Sequence, residues 1–355
     1  MMPATDNNVT PNDAFLEIYE KTAGLIPHSL SHDGSRLTWI DLGSYHMYEG
    51  SYQKASHTAV ALLGRGPDTV YQPFFTTELS VIDDLTPAPD DVSPTAFIFG
   101  VSRCGSTLLT RALARDRRIL AFGEALIPNG LWRLGGPSTL THATGTIARL
   151  RKVITLMGRN RGGGYRHMVL KLSSVELHAA SPLRAAFPDA PCLFMYRNPT
   201  EVLVSHLNRK PGWHDAMSTD WGSFLCGQET PQTTTEFYAK VLRGYYSVAM
   251  SDAAKNWTLL QYPELAPHRL PDILAALGID ADDVDLTAMS RCFRSYSKSP
   301  YQNAQFADDQ GKKQRDASAA VAELVATHLD PLHQALAQAP QNLAPHSDAG
   351  AWKTR

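Results

Sequence analysis

Short apolar runs alternate with amphipathic stretches over most of this chain. Ala96–Phe99, His167–Leu170, Cys192–Tyr196 and Trp257–Gln261 have the length and composition of buried strands, and Arg117–Phe122 reads as a further short one. Between them, apolar positions recur at helical spacing. Leu108, Leu109, Ala112 and Leu113 form one such set, and Ile147, Leu150, Val153, Ile154 and Met157 form another within His142–Gly158. Thr233–Ala254 carries Tyr238, Val241, Leu242, Tyr245 and Val248 in register, and Pro263–Gly278 and Ala317–Gln338 read as later helices. Ser173–Phe187 reads as two helical pieces around Pro182. Asn198 and Pro199 stand where a helix N-cap and first position belong, so Pro199–Leu207 is predicted helical. Strands alternating with helices in this way predict an α/β fold: a parallel sheet with helices on both faces.

The first quarter of the chain breaks that rhythm. Ala14–Leu25 has one amphipathic face, while residues 36–93 mix short apolar runs with turn residues. Residues 1–93 are therefore read as a small N-terminal extension, joined by the Pro-rich stretch Thr86–Pro94 to a main domain over 94–340; a polar tail, 341–355, follows. His28 and His32 are spaced like helical metal ligands. Pro27 before them and Asp33-Gly34 after them make loop histidines the better expectation. Gly162-Gly163-Gly164 is read as a turn.

Charge and composition narrow the partners. The formal net charge of −2 and pI near 6.7 give no support for nucleic acid or a polybasic membrane anchor, so basic residues must be concentrated locally to bind an anion. No apolar stretch resembles a signal peptide or reaches the ~18 residues of a membrane span. Cys104, Cys192, Cys226 and Cys292 form no C-x-x-C and read as reduced thiols, so a cytoplasmic protein is expected.

The chemistry concentrates at the ends of the predicted strands. The first run leads into Gly100-x4-Gly105 and then Ser106-Thr107 at a helix start: a strand, a glycine-bounded loop and a helix N-terminus, which together present backbone N–H groups to an anion. The nucleoside-triphosphate loop has a lysine after its second glycine, where Ser106 stands here; the cation has moved inside the loop, to Arg103. Cys104, also in the loop, is a small filler or, less simply, a reactive thiolate. Two further strands end in Lys171 and Arg197. In parallel sheets ligands sit at the carboxyl ends of the strands, so three cations converging there predict a polyanion site.

With those residues in view, the chain resembles the sulfotransferases that use 3′-phosphoadenosine-5′-phosphosulfate (PAPS). GVSRCGSTLLTRAL is similar to the family's 5′-phosphosulfate loop, commonly P-[KR]-S-G-[ST]-[ST], with Arg103, Gly105, Ser106 and Thr107 on matching positions. Ser102 stands where many members have Pro, and Cys104 where Ser is usual. RNPTEVLVSH resembles the 3′-phosphate motif, an Arg at a strand end with a Ser eight positions later, here Arg197 and Ser205. The resemblance covers roughly residues 95–340 and implies a three-layer, P-loop-type sheet. It also implies PAPS as sulfuryl donor with PAP as product, no metal, and a small-molecule acceptor.

The resemblance further implies site roles. Ser102 through Thr107 would cradle the 5′ group, and Arg197 and Ser205 would hold the 3′-phosphate. Lys171 would touch the sulfonate or the nucleotide. The histidine base of the cytosolic small-molecule branch would fall at Ser173, whereas Glu124 matches by position the glutamate taken as base in the tyrosylprotein branch. His214 is the reserve base. Lys298, with Lys312, Lys313 and Arg315, belongs to a nucleotide lid or to a solvated basic loop. Trp213, Trp221, Phe224 and Tyr238 suggest an apolar or aromatic-lined acceptor pocket, or are simply core. Two rivals stand beside this reading: a P-loop kinase or NTPase, and a non-catalytic nucleotide-binding protein of the same fold.

Overall fold

The structure, a computed structural model, describes residues 9–64, 72–127, 130, 144–294 and 310–343. Among them, β1 (Leu25–Leu30), β2 (Arg36–Asp41) and β3 (Phe74–Glu78) pair antiparallel in that order. The second sheet holds β4 (Pro94–Gly100), β5 (Ile119–Gly123), β6 (His167–Lys171), β7 (Cys192–Tyr196) and β8 (Thr258–Gln261). Its order is β5-β6-β4-β7-β8, parallel throughout and flanked by helices.

The apolar runs are buried because both faces of this sheet are covered. Every residue of β5 and β7 is buried, and Phe99 of β4 stacks on Trp257 with ring centroids 4.5 Å apart. Chain order and sheet order differ in a way that matters for function. From β4 the chain crosses to β5 on one side; the connections after β5, β6 and β7 all step the other way. With right-handed crossovers, the helix after β4 (Ser106–Leu113) lies on the opposite face from those that follow its neighbours β6 and β7. The carboxyl edge therefore opens on both sides of β4, where α/β sheets bind ligands.

The N-terminal layer is a packed structure. Phe15 and Tyr19 of the helix Asn12–Lys21 seat their rings 4.7 Å and 5.6 Å from Trp39 of β2. Tyr52, at the start of the helix Tyr52–Leu63, meets Phe122 of β5 at 5.9 Å, tying the two sheets into one hydrophobic core.

Several elements depart from the sequence expectation. The first helix stops at Lys21 because Leu25 is taken into β1, opposite Asp41. His28 is not in a loop: it is buried in β1, with Nδ1 2.9 Å from the Tyr52 hydroxyl. Pro27 is tolerated there because β1 is an edge strand with an irregularity between Pro27 and Ser29. Ser174–Ala179 is a 3₁₀ turn that leads into the helix Ala180–Ala186, so Pro182 falls in a first turn, where its missing N–H is not needed. The last predicted helix is two, Ala319–His328 and Asp330–Gln338, parted at Leu329 just before Pro331. No helix of the described residues is long and apolar enough to cross a membrane.

Candidate active site

Read across the sheet, the strand ends set out the site in order: Glu124 after β5, Lys171 closing β6, the loop 101–105 after β4, Arg197 after β7 and Tyr262 after β8. A cleft of about 540 Å³ opens over this edge. Seven lysines and arginines line it (Lys54, Arg103, Lys171, Arg197, Arg209, Lys210 and Lys313) against one carboxylate, Glu124. A chain of near-zero net charge has brought seven of its 33 lysines and arginines to one place.

The loop is shaped for close approach. Arg103 and Gly105 have φ of 65° and 86°, left-handed conformations that turn successive peptide N–H groups toward one side. Gly105 is the residue before the helix Ser106–Leu113, whose first N–H groups have no partner within the helix. Ser102, Ser106 and Thr107 line the cleft, and the Ser102 hydroxyl lies 3.0 Å from that of Ser174. Cys104 points the other way. It is fully buried, its sulfur fills the space beside Gly100, and burial raises its thiol above the ordinary value. That corrects the reactive-thiolate option and leaves the filler.

Arg197 is held by several partners. Its Nε donates to Glu201 Oε2 at 2.5 Å, and both side chains are almost wholly buried. Its guanidinium lies 4.1 Å from the Tyr262 ring centroid, and its Nη1 donates to the Arg103 carbonyl at 3.3 Å. The loop arginine and the strand-end arginine are thus joined directly. Glu201 also accepts from Gln314 Nε2 at 2.8 Å, which brings the segment Gln310–Arg315, and with it Lys313, to the cleft. Asn198 caps the following helix as expected, its side chain accepting from the Glu201 N–H.

On the other flank, Lys171 forms an ion pair with Glu124, whose N–H donates to the Lys171 carbonyl at 2.7 Å. Glu124 has φ 59°; two of the three non-glycine residues with positive φ among those described, Arg103 and Glu124, lie on this edge, and backbone strain of that kind concentrates at functional sites. Behind them Glu176 is buried. Its Oε2 accepts from the Ser173 N–H at 2.5 Å and from the Ser173 hydroxyl at 2.9 Å. Burial pushes its carboxyl up to about 7, partly offset by those hydrogen bonds, with the charge of Glu124 adding to the rise.

Arg103, Glu124, Lys171, Gly105, Ser106, Thr107, Ser102 and Arg197 are therefore brought together. Ser205 is not: it is buried within the helix Pro199–Asn208 and does not line the cleft. His214 lies outside the cleft as well, its Nδ1 2.9 Å from the Tyr238 hydroxyl. Lys298 lies outside the described residues. Sequence reading missed Lys54, Arg209, Lys210, Ser174, Tyr262 and Glu201. The adjacent Arg209-Lys210, ahead of Pro211-Gly212, was the one local signal for any of them.

No protein-family model matches the chain, and no curated protein does. Solved structures do. The chain is similar to a sulfotransferase from Mycobacterium avium (TM-score 0.43, 11% identity, 92% of this chain and 98% of that one). It is also similar to one from Mycobacterium tuberculosis H37Rv (TM-score 0.41, 16% identity, 70% and 78%). A third, from Alicyclobacillus acidocaldarius, has TM-score 0.37 and 18% identity over 70% of this chain and 100% of that one. All three are sulfotransferases, the family whose motifs the sequence resembles. Likenesses this distant carry no argument about chemistry, which rests on the cleft's own residues.

Proposed function

We propose that this protein is a sulfotransferase that takes its sulfuryl group from PAPS and passes it to a hydroxyl or amine of a small-molecule acceptor. The observation that carries this reading is the direct link between the Arg103 loop and Arg197, 3.3 Å from guanidinium to carbonyl, in one cation-lined cleft at the divergence of β4 from its neighbours. The donor set suits a nucleotide with phosphate at both its 3′ and 5′ positions: a peptide nest and helix N-terminus for one anion, a buried oriented guanidinium for the other.

When bound, the donor supplies an activated sulfuryl group whose leaving group is a phosphate oxygen. Arg103, the Ser106 and Thr107 hydroxyls and the loop N–H groups hold the 5′ phosphate and stabilise charge developing on that oxygen. Arg197, fixed by Glu201 and Tyr262, holds the 3′-phosphate. Glu124 takes the acceptor proton, and Lys171, its ion-pair partner, stands ready to share its charge with the sulfonate. A sulfuryl group carries less negative charge than a phosphoryl group, so these cations suffice for an in-line transfer with no metal. Residues 94–340 carry the groups given a role in the transfer.

The test is direct. The protein, PAPS and a panel of hydroxylated acceptors are incubated and read by mass spectrometry for one added SO3 group. Transfer is expected for the wild type and should be abolished in Arg103→Ala. Wild-type turnover in that variant contradicts the role given to the loop.

A further inference from the structure

The aromatic residues expected to line an acceptor pocket are elsewhere. Trp213 sits in an aromatic cluster with His206, Phe237 and Tyr238, and none of Trp213, Trp221, Phe224 or Tyr238 lines the cleft. Beyond the loop, the cleft is lined instead by Lys54, Arg209 and Lys210. Their side chains are exposed, and no carboxylate among the described residues pairs with them. Lys171 and Arg197, by contrast, each have a glutamate.

Position separates Lys54 from the 3′-phosphate arm. Lys54 is in the first turn of the helix Tyr52–Leu63. The chain entering that helix is pressed against the end of β5: a methyl group at Gly123 would lie 2.1 Å from the Gly50 carbonyl oxygen. That places the start of Lys54's helix at the β5 end of the cleft, the end that carries Glu124. In the sheet, β5 and β7 are three spacings apart, about 14 Å, so Lys54 marks the end of the cleft opposite Arg197. Arg209 and Lys210 are fixed beside the loop, because Arg103 Nη2 donates to the Arg209 carbonyl at 3.2 Å. The place where an acceptor hydroxyl must meet both Glu124 and the loop is thus flanked by cations on two sides. Several like charges around one cleft raise the local concentration of an oppositely charged ligand by about 10-fold or more.

Building on the sulfuryl-transfer reading, we propose that the acceptor is itself an anion: a hydroxylated molecule with a compact acidic group such as a carboxylate, held by Lys54 with Arg209 and Lys210 opposite. The acceptor oxygen forms its bond to sulfur as the bond from sulfur to the phosphate oxygen breaks. The hydroxyl proton goes to Glu124, and adenosine 3′,5′-bisphosphate leaves with the electron pair. Lys54 orients the acceptor and reaches no reacting atom.

The experiment compares 4-hydroxyphenylacetate with its neutral amide, two phenols that differ in one charge. At low salt, kcat/KM should favour the carboxylate by about 10-fold or more, and added salt should shrink that ratio. Lys54→Gln should cut the ratio about 5-fold, chiefly through the KM of the carboxylate, and Lys210→Gln should act in the same direction. Where turnover of both phenols is too slow to measure, the same ratio is read from their dissociation constants on the complex with adenosine 3′,5′-bisphosphate. Equal use or equal binding of the two phenols, no binding of the carboxylate, or a ratio unmoved by Lys54→Gln, overturns the anionic acceptor. If sulfuryl transfer to the amide persists, the proposed function survives that failure. If the wild type binds no bisphosphate, both fall together.

Discussion

A methyl group added at Gly105 would meet Leu265 Cδ2 at 2.8 Å and Tyr262 Cε2 at 2.9 Å, on a backbone with φ 86°. Gly105→Ala should therefore lower stability by about 1–3 kcal/mol in chemical denaturation. It should also weaken bisphosphate binding in titration, because Tyr262 is the ring on which Arg197 lies. At this scale much of the site was legible. Arg103, Lys171 and Arg197 announce themselves because a strand end followed by a cation is a local pattern, and Asn198-Pro199 is a local cap. Glu201 was not legible. A glutamate four residues after an arginine on a helix looks like a solvated pair, and only its burial shows that it fixes the guanidinium. Lys54 has no local signal at all, since it reaches the cleft through the packing of Gly50 on Gly123.

The helix Pro199–Asn208 does more than follow β7. It carries Glu201, the carboxylate shared by Arg197 and Gln314, and so joins a strand end to the later segment Gln310–Arg315. Glu201→Ala removes a buried carboxylate that is paired with Arg197. A loss of about 3–5 kcal/mol is expected in urea denaturation, together with weaker bisphosphate binding. Glu201→Gln, which keeps an acceptor for Arg197 Nε, should lose less on both measures. Equal behaviour of the two variants would show that charge neutralisation, not orientation, is what Glu201 provides. The elements themselves were mostly legible from periodicity, β7 to the residue. Some boundaries moved through a partner distant in the chain, as when pairing with β2 drew Leu25 into a strand; others moved for a local reason, as at Pro331.

For the molecule as a whole, the parallel α/β class could be read from alternating strands and helices, but the order β5-β6-β4-β7-β8 could not, because strand neighbours are set by long-range packing. That order is what makes one cleft of scattered cations. Buried titratable groups add a global signature. Burial lowers His28 and His178 from 6.5 to about 4, so the unfolded chain takes up protons first, and the stability they contribute above pH 6.5 is lost as pH falls toward 4. Glu176 acts oppositely. Its carboxyl, raised from 4.5 to about 7, favours the folded state fully below pH 4.5, and that contribution is lost as pH rises through 7. Glu176→Gln should therefore gain on the wild type, by about 1–3 kcal/mol, between denaturation curves at pH 5 and pH 8. A pH-independent difference would contradict the assignment.

On the proposed function, two arginine-bearing strand ends grip one bis-phosphorylated adenosine, and that grip is the feature to test. It is tested most directly by the melting temperature of the wild type and Arg197→Ala with saturating adenosine 3′,5′-bisphosphate or ATP with magnesium. The bisphosphate at about 100 times its Kd should stabilise the wild type by about 2.7 kcal/mol, a rise of a few degrees. ATP should do far less, and Arg197→Ala should lose most of the bisphosphate shift. An equal or larger shift with ATP, or an undiminished bisphosphate shift in Arg197→Ala, would contradict it.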